Sequence, residues 1–193
     1  IYRRIYYGNG PAPSFLDLPD ELLERVVLIY GAAKAYAMTG WRIGAAYAPM
    51  PVVRAMAALQ SQTTTGANHP AQWAAATAFG DDRVEPDVVK MVAAFRRRRD
   101  LVVSRFRAEA PGVEFVEPTG AFYFFFRVDG VTRLHDYTGS AFCERAMAAG
   151  VALVPGAAFG DDRWVRMSYA ASDKDLELAL GRLLNLIQVL GDS

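Results

Sequence analysis

The sequence predicts an α/β chain in which the tail of one α/β layer is followed by a smaller α+β lobe. Three observations predict it. Short β-branched or aromatic runs alternate with amphipathic stretches along all 193 residues. The longest periodic segment, residues 86–109, separates closely spaced apolar runs from a looser alternation of strands and helices. The composition is globular, 52% hydrophobic and 22% charged with a formal net charge of +0, sufficient for one sizeable core or two unequal lobes.

Residues 1–7, rich in isoleucine and tyrosine and stopped by Gly8-Asn9-Gly10-Pro11, read as the interior or end of a strand. With no initiator methionine and no signal-peptide layout before it, this segment is expected to belong to a longer polypeptide. Residues 19–24 open a short helix with acids in its first turn, where the macrodipole favours them. Residues 26–30 form a short buried strand, and residues 43–47 another, ended by Pro49-Met50-Pro51. Helices over 51–59 and 70–79 flank the polar stretch 60–66. A long helix covers 86–109: Pro86 suits its first turn, where a missing N–H costs nothing, and Val88, Val89, Met91, Val92, Phe95, Leu101, Val102 and Phe106 mark one face. The run Arg96-Arg97-Arg98-Arg99 is expected to be its solvated side. Pro111-Gly112 ends that helix, strands follow over 113–116 and 121–128, and a helix over 140–149. Strands over 151–154 and 164–169 precede a closing helix over 172–190, with Ser172 and Asp173 at its N-cap. The expected division is 1–85, a linking helix 86–110, and 111–193.

Zero net charge argues against nucleic acid or a polybasic membrane surface as a partner. No apolar run approaches the roughly 20 residues of a membrane helix. The single cysteine, Cys143, reads as a small buried hydrophobe on a helix, and a reducing cytoplasm is the expected compartment. His69 and His135 make no metal-ligand spacing, so no metal is expected. Tyr123 and the Phe124-Phe125-Phe126 run are assigned to the core.

The chemistry gathers in Gly31 to Gly44, GAAKAYAMTGWRIG. One lysine stands there among small and apolar residues, and burial in such company depresses an amine pKa toward nucleophilic use. From Arg25 to Gly80 there is no Asp or Glu, while Arg25, Lys34, Arg42 and Arg54 fall inside, a pattern suited to an anionic ligand. Lys34 and Arg42 flank a Thr39-Gly40 turn. If the chain reverses there, an amine and a guanidinium share one cleft. Pyridoxal 5'-phosphate, an aldehyde at one end and a phosphate at the other, has the matching shape.

Residues 30–44, YGAAKAYAMTGWRIG, closely resemble the lysine motif of the class I/II aminotransferases, fold-type I pyridoxal-phosphate enzymes, in their aspartate-aminotransferase-like prokaryotic branch. Ile1-Tyr2 is similar to the end of the family's Asp-x-x-Tyr strand, and Pro118-Thr119-Gly120-Ala121-Phe122-Tyr123 to its Pro-x-Gly-Ala-Phe-Tyr element. Val154-Pro155-Gly156 with Phe159-Gly160 resembles its Pro-Gly-x-x-Phe-Gly turn, and Val165 to Ala170 its carboxylate-arginine strand. The resemblance covers essentially the whole chain, as the C-terminal half of a family member. It makes residues 1–85 the remainder of the large cofactor-binding domain and residues 111–193 the small α+β C-terminal domain.

The resemblance assigns roles. Lys34 would form the Schiff base with the cofactor and then move the proton at substrate Cα. Arg42 would bind the cofactor phosphate, Tyr2 its phenolic oxygen, and Arg166 the substrate α-carboxylate as a bidentate pair. The implied substrates are an amino acid and a 2-oxo acid, exchanged in a ping-pong cycle, and the implied assembly is a homodimer. His69, near Thr64 and Thr65, is a candidate for reaching the neighbouring subunit's site. Two departures stand out. Ala33 precedes the lysine where many members have serine, and the family's aspartate for the pyridine nitrogen lies upstream of Tyr2. The isolated chain is therefore expected to be incompetent alone. A lyase or decarboxylase of the same fold, or a non-catalytic fragment or regulatory module, are the alternatives.

Overall fold

The computed structural model describes residues 1–131 and 137–191. Its residues fall into two compact units, Ile1–Val92 and Ala93–Ser193. Among the described residues no helix is long and apolar enough to cross a membrane. His135 lies outside the described residues.

The first unit holds α1 (Asp20–Leu23), β1 (Leu28–Gly31), α2 (Ala32–Ala35), β2 (Gly44–Tyr47), α3 (Met50–Thr63) and α4 (His69–Gly80). β1 and β2 pair antiparallel, with Leu28 opposite Tyr47 and Gly31 opposite Gly44. These strands are not the buried layer expected of residues 26–30. Ile29 is 65% exposed and Tyr47 56%, because this sheet has two strands and so leaves much of its surface uncovered. Residues 1–7 also depart from expectation. The Ile5 N–H donates to the Tyr2 carbonyl at 2.7 Å, so the segment turns, while Ile5 and Tyr7 are buried. α3 runs past the expected end through Gln60 to Thr63, polar residues that a solvent-facing helix accommodates; no residue of α3 is buried. Asn68 caps α4, accepting from the Ala71 N–H at 3.0 Å.

α5 (Glu85–Glu109) is a single helix of 25 residues, about 37 Å long. It passes from the first unit into the second, with Pro86 in its first turn as expected.

The second unit is built on a four-stranded antiparallel sheet in the order β3 (Phe115–Val116), β4 (Tyr123–Arg127), β6 (Trp164–Ser168), β5 (Val154–Pro155). Side chains alternate across such a sheet. Phe124 and Phe126 of β4 and Val165 and Met167 of β6 are buried on one face. Phe106 of α5 packs there, its ring 4.5 Å from Phe124 and 5.1 Å from Phe126. Each such fully buried phenylalanine contributes roughly 1.5–3 kcal/mol. α6 (Gly139–Ala148) adds Phe142, 5.9 Å from Phe126. α7 (Asp173–Gly191) buries Leu176, Leu180, Leu183, Leu184, Ile187 and Leu190, a stripe at helical spacing. The assignment of the whole Tyr123–Phe126 run to the core is thus half corrected: Tyr123 and Phe125 stand on the opposite, half-buried face with Trp164 and Arg166.

Long-range polar contacts fix the periphery of this unit. Arg98 and Arg99 are not the expected solvated side of the helix. Arg98 pairs with Asp173 at the start of α7 (2.6 Å), and Arg99 donates to the Pro118 carbonyl at 2.8 Å. Ser172 caps α7, its hydroxyl accepting from the Asp175 N–H at 3.1 Å. The Asp162 carboxylate accepts from both the backbone N–H and the hydroxyl of Ser140 at 3.0 Å, holding the start of α6. Cys143 is half-buried rather than buried, and desolvation pushes its thiol up to about 11.

The Asp161 carboxyl, hydrogen-bonded by the Arg163 side chain and backbone, is held down to about 2. A depressed carboxylate pKa contributes stability that is present above about pH 4 and is lost as pH falls toward 2. A proton titration followed by NMR is expected to place the Asp161 midpoint near 2, and Arg163→Ala to move it toward 4.

Candidate active site

The stretch from Gly31 to Gly44 is a closed loop, because its two end glycines face each other across the β1–β2 pair. The closure requires a glycine: a Cβ on Gly44 would come 2.9 Å from the Tyr30 carbonyl oxygen. Chain reversal between Lys34 and Arg42 is therefore built into the sheet.

Inside the loop, small residues do the anchoring. Ala32 and Ala35, one helical turn apart on α2, are 0% exposed. Ala32 and Met38 form a buried cluster with Ala78 of α4, joined by Tyr36, Ile43 and Ala74. Lys34, two residues beyond Ala32, lies away from that anchored side of the turn and is half-buried.

The chain then passes through a 3-10 turn, Thr39–Trp41, into Arg42. Arg42 has φ +51° and Ala37 φ +54°, so two non-glycine residues in the left-handed region bracket the turn. Each such residue costs of order 1–2 kcal/mol, offset only where surrounding structure enforces it. The Arg42 side chain is exposed and donates from Nη1 to the Thr39 carbonyl at 3.1 Å. With Ala37, Gly40, Trp41 and Asn68 it lines a cavity of about 440 Å³. Four of the five guanidinium N–H donors are left for an anion by that single internal bond.

Tyr2 is half-buried, and its neighbour Ile1 reaches onto the loop: a Cβ at Gly31 would lie 3.1 Å from the Ile1 side chain. The segment bearing Tyr2 thus meets the start of the lysine loop. On the same unit Tyr30 and Tyr36 both pack against Phe79, at 5.1 and 5.7 Å between ring centres. With Arg3, Arg4 and Tyr6 they line a second cavity of about 500 Å³. Arg4 is held by Glu85. Burial first, then the Tyr36 hydroxyl, push the Tyr30 phenol up to about 12.

Tyr2, Lys34 and Arg42 belong to the first unit, and Arg166 to the second. Arg166 lies on β6 between the buried Val165 and Met167, on the half-buried face. Its guanidinium carbon is 4.2 Å from the Tyr123 ring centre and 4.4 Å from that of Phe159. Among the described residues no carboxylate pairs with it. His69 opens α4 beside the Trp73 ring, Thr64 closes α3, and both are exposed. No group of metal-ligating side chains occurs among the described residues. The aromatic residues that meet Arg166, and the tyrosine pair of the lysine motif, escape sequence reasoning. Tyr30 and Tyr36 sit inside the lysine motif and Phe159 inside the glycine turn, which is the signal that marks them.

The family model for aminotransferase class I and II matches residues 1–183. A bifunctional aspartate aminotransferase and glutamate/aspartate-prephenate aminotransferase from Petunia hybrida is 40% identical over 193 residues, covering 95% of this chain and 40% of the relative. An aspartate aminotransferase from Thermotoga maritima is 42% identical over 184 residues, covering 95% and 45%. Among solved structures, an aromatic aminotransferase from Pyrococcus horikoshii superposes with a TM-score of 0.89 at 34% identity, over 98% of this chain and 50% of that one. The aspartate aminotransferase of Thermotoga maritima gives 0.84 at 38% identity, over 97% and 46%. The chain spans about half the length of the curated relatives it matches.

Tyr36→Phe is expected to lower the Tyr30 titration from about 12 while burial keeps it above the free phenol value, read by ultraviolet absorbance of the phenolate against pH. An unchanged midpoint would refute any coupling between the two hydroxyls.

Proposed function

The chain belongs to the aminotransferase class I and II family, and on that premise we propose that it carries the lysine loop and the carboxylate-binding strand of a pyridoxal 5'-phosphate-dependent aminotransferase. The reaction is transfer of an amino group between an amino acid and a 2-oxo acid in two half-reactions. One observation carries the reading. Lys34 and Arg42 project from a single loop that is closed by Gly31 and Gly44 and anchored by Ala32, Ala35 and Met38, in a stretch without a carboxylate from residue 25 to residue 80.

The residues present fit the cofactor. An exposed guanidinium with donors to spare, on a cavity next to small residues, suits a phosphate. A half-buried amine on the same loop suits an aldehyde. When bound, the cofactor supplies the electron sink that stabilises negative charge at substrate Cα. Lys34 Nζ would hold the cofactor's aldehyde carbon and, as a free amine, take the proton from substrate Cα. Arg42 would fix the phosphate end, and the Tyr2 hydroxyl would hydrogen-bond the phenolic oxygen. The Arg166 guanidinium would bind the substrate α-carboxylate as a bidentate pair.

The same reading makes the working protein a cytoplasmic homodimer. The support for a dimer is α3, whose Val52, Val53, Met56 and Leu59 are exposed apolar surface that a second copy would bury. Aspartate is the amino donor to try first, since relatives 40% and 42% identical carry that name.

Incubation with pyridoxal 5'-phosphate, borohydride reduction and peptide mapping is expected to place the label on Lys34, with Lys90 and Lys174 unmodified. Label spread over all three lysines, or absent from Lys34→Ala without any other change, decides between a scattered surface reaction and a built site. In the cofactor-loaded full-length protein, Lys34→Ala should abolish turnover. Arg166→Ala should raise KM for the 2-oxo acid by about 10–100-fold while cofactor stays bound. Loss of cofactor from the Arg166 variant would sink its assignment as the carboxylate group.

A further inference from the structure

Arg166 poses a physical question that its proposed role leaves open. A half-buried arginine is ordinarily held by a carboxylate or by carbonyl oxygens, as Arg98, Arg99, Arg105 and Arg127 are in this same unit. Among the described residues Arg166 has neither an ion pair nor a side-chain hydrogen bond. It has two aromatic rings instead, Tyr123 at 4.2 Å and Phe159 at 4.4 Å.

We propose that Tyr123 and Phe159 form an aromatic clamp that positions the Arg166 guanidinium for an incoming carboxylate, making both of them positioning residues for substrate binding. The proposal rests on the reading of Arg166 as the group that binds the substrate carboxylate.

The chemistry favours this device at this place. A carboxylate partner would orient the guanidinium, but it would also occupy the N–H fork and cancel the charge that substrate binding needs. A ring attracts the cation through its quadrupole and leaves the conventional donors unused. The clamp thus supplies orientation and keeps both charge and donors.

The surrounding chain holds the rings in turn. Tyr123 opposes Ser168 across β4 and β6, and Phe125 opposes Arg166, so all four share the half-buried face. Phe159 is 49% exposed, too open to be explained by core packing. Its ring meets Phe125 edge-on at 6.1 Å, and Phe125 stacks on Trp164 at 5.1 Å. The 3-10 turn that carries it, Gly156–Phe159, is held at both ends. The Asp161 N–H donates to the Gly156 carbonyl at 3.1 Å, and Gly160 leaves the turn at φ +96°. Gly156 is buried against the Asp161 and Trp164 carbonyls, where a Cβ has no room. An exposed phenylalanine on so constrained a turn is placed for the guanidinium.

Two measurements test the clamp. In the 193-residue chain, the Arg166 Nε–H resonance is expected to be displaced by ring currents. Phe159→Leu and Tyr123→Leu should each remove part of the displacement, while Phe159→Tyr and Tyr123→Phe preserve it. In the cofactor-loaded full-length protein with a 2-oxo acid as the varied substrate, Phe159→Leu and Tyr123→Leu should each raise KM about 5–10-fold with kcat within about twofold. The conservative variants should restore KM. If Arg166→Ala raises KM and the leucine variants do not, the clamp is wrong and the carboxylate reading stands. If Arg166→Ala leaves KM unchanged, the carboxylate reading fails first. Leucine variants that lower kcat and thermal stability together, with KM unmoved, would reduce both rings to packing and overturn the proposal.

Discussion

Sidedness governs what this chain offers chemically. A short helix or a strand can bury one side only, and each of the candidate groups that anchored packing surrounds stands on the side left over. Ala32 and Ala35 bury one side of α2, which leaves Lys34 on the other. Val165 and Met167 bury one face of β6, which leaves Arg166 on the other. The apolar residues set the position, and the charged residues inherit it. Arg166 is placed in this way by ring contacts, and among the described residues no carboxylate occupies its donors.

The lysine loop shows how that positioning is sustained against strain. Ala37 and Arg42 adopt backbone angles that non-glycine residues avoid, and the alanine-rich helix between β1 and the 3-10 turn has only four residues. Neither feature would persist in an isolated peptide. Here the glycine pair closes the loop at one end and Met38, with Ala32, fastens it on Ala78 of α4. The small side chains are themselves functional in this sense, since a bulkier residue at Ala32 or Ala35 would lift α2 off its support and carry Lys34 with it.

Much of this was legible in the sequence where the signal is local. The lysine motif, the extent of α5, the hairpin around Thr39-Gly40 and the serine cap of α7 depend on neighbouring residues and emerge as expected. Features that depend on distant partners did not. Arg98 reads as one of four solvated arginines because its partner, Asp173, is 75 residues away. The parity of Phe122 to Phe126 is invisible because every position is aromatic, so alternation between core and open face leaves no trace in residue type. Val27 and Ile29 read as part of a buried strand, yet apolarity alone does not say whether a covering element is present. Phe159 illustrates the same limit from the other side: its role rests on a guanidinium seven residues on, brought near by the antiparallel pairing of β5 and β6.

The carboxylate-free stretch from residue 25 to residue 80 has a consequence for acid conditions. The acids drawn into ion pairs, among them Asp81, Glu109, Asp129, Asp161 and Asp173, all lie outside it. As pH falls, these neutralise and their pairs weaken. Nothing between residues 25 and 80 carries a negative charge to lose. On the proposed reading, the attraction this loop would exert on an anion would therefore not fade on acidification from within. Capture of a phosphate would weaken in acid through the phosphate's own protonation, so that the ligand, and not the loop, would act as the proton sensor.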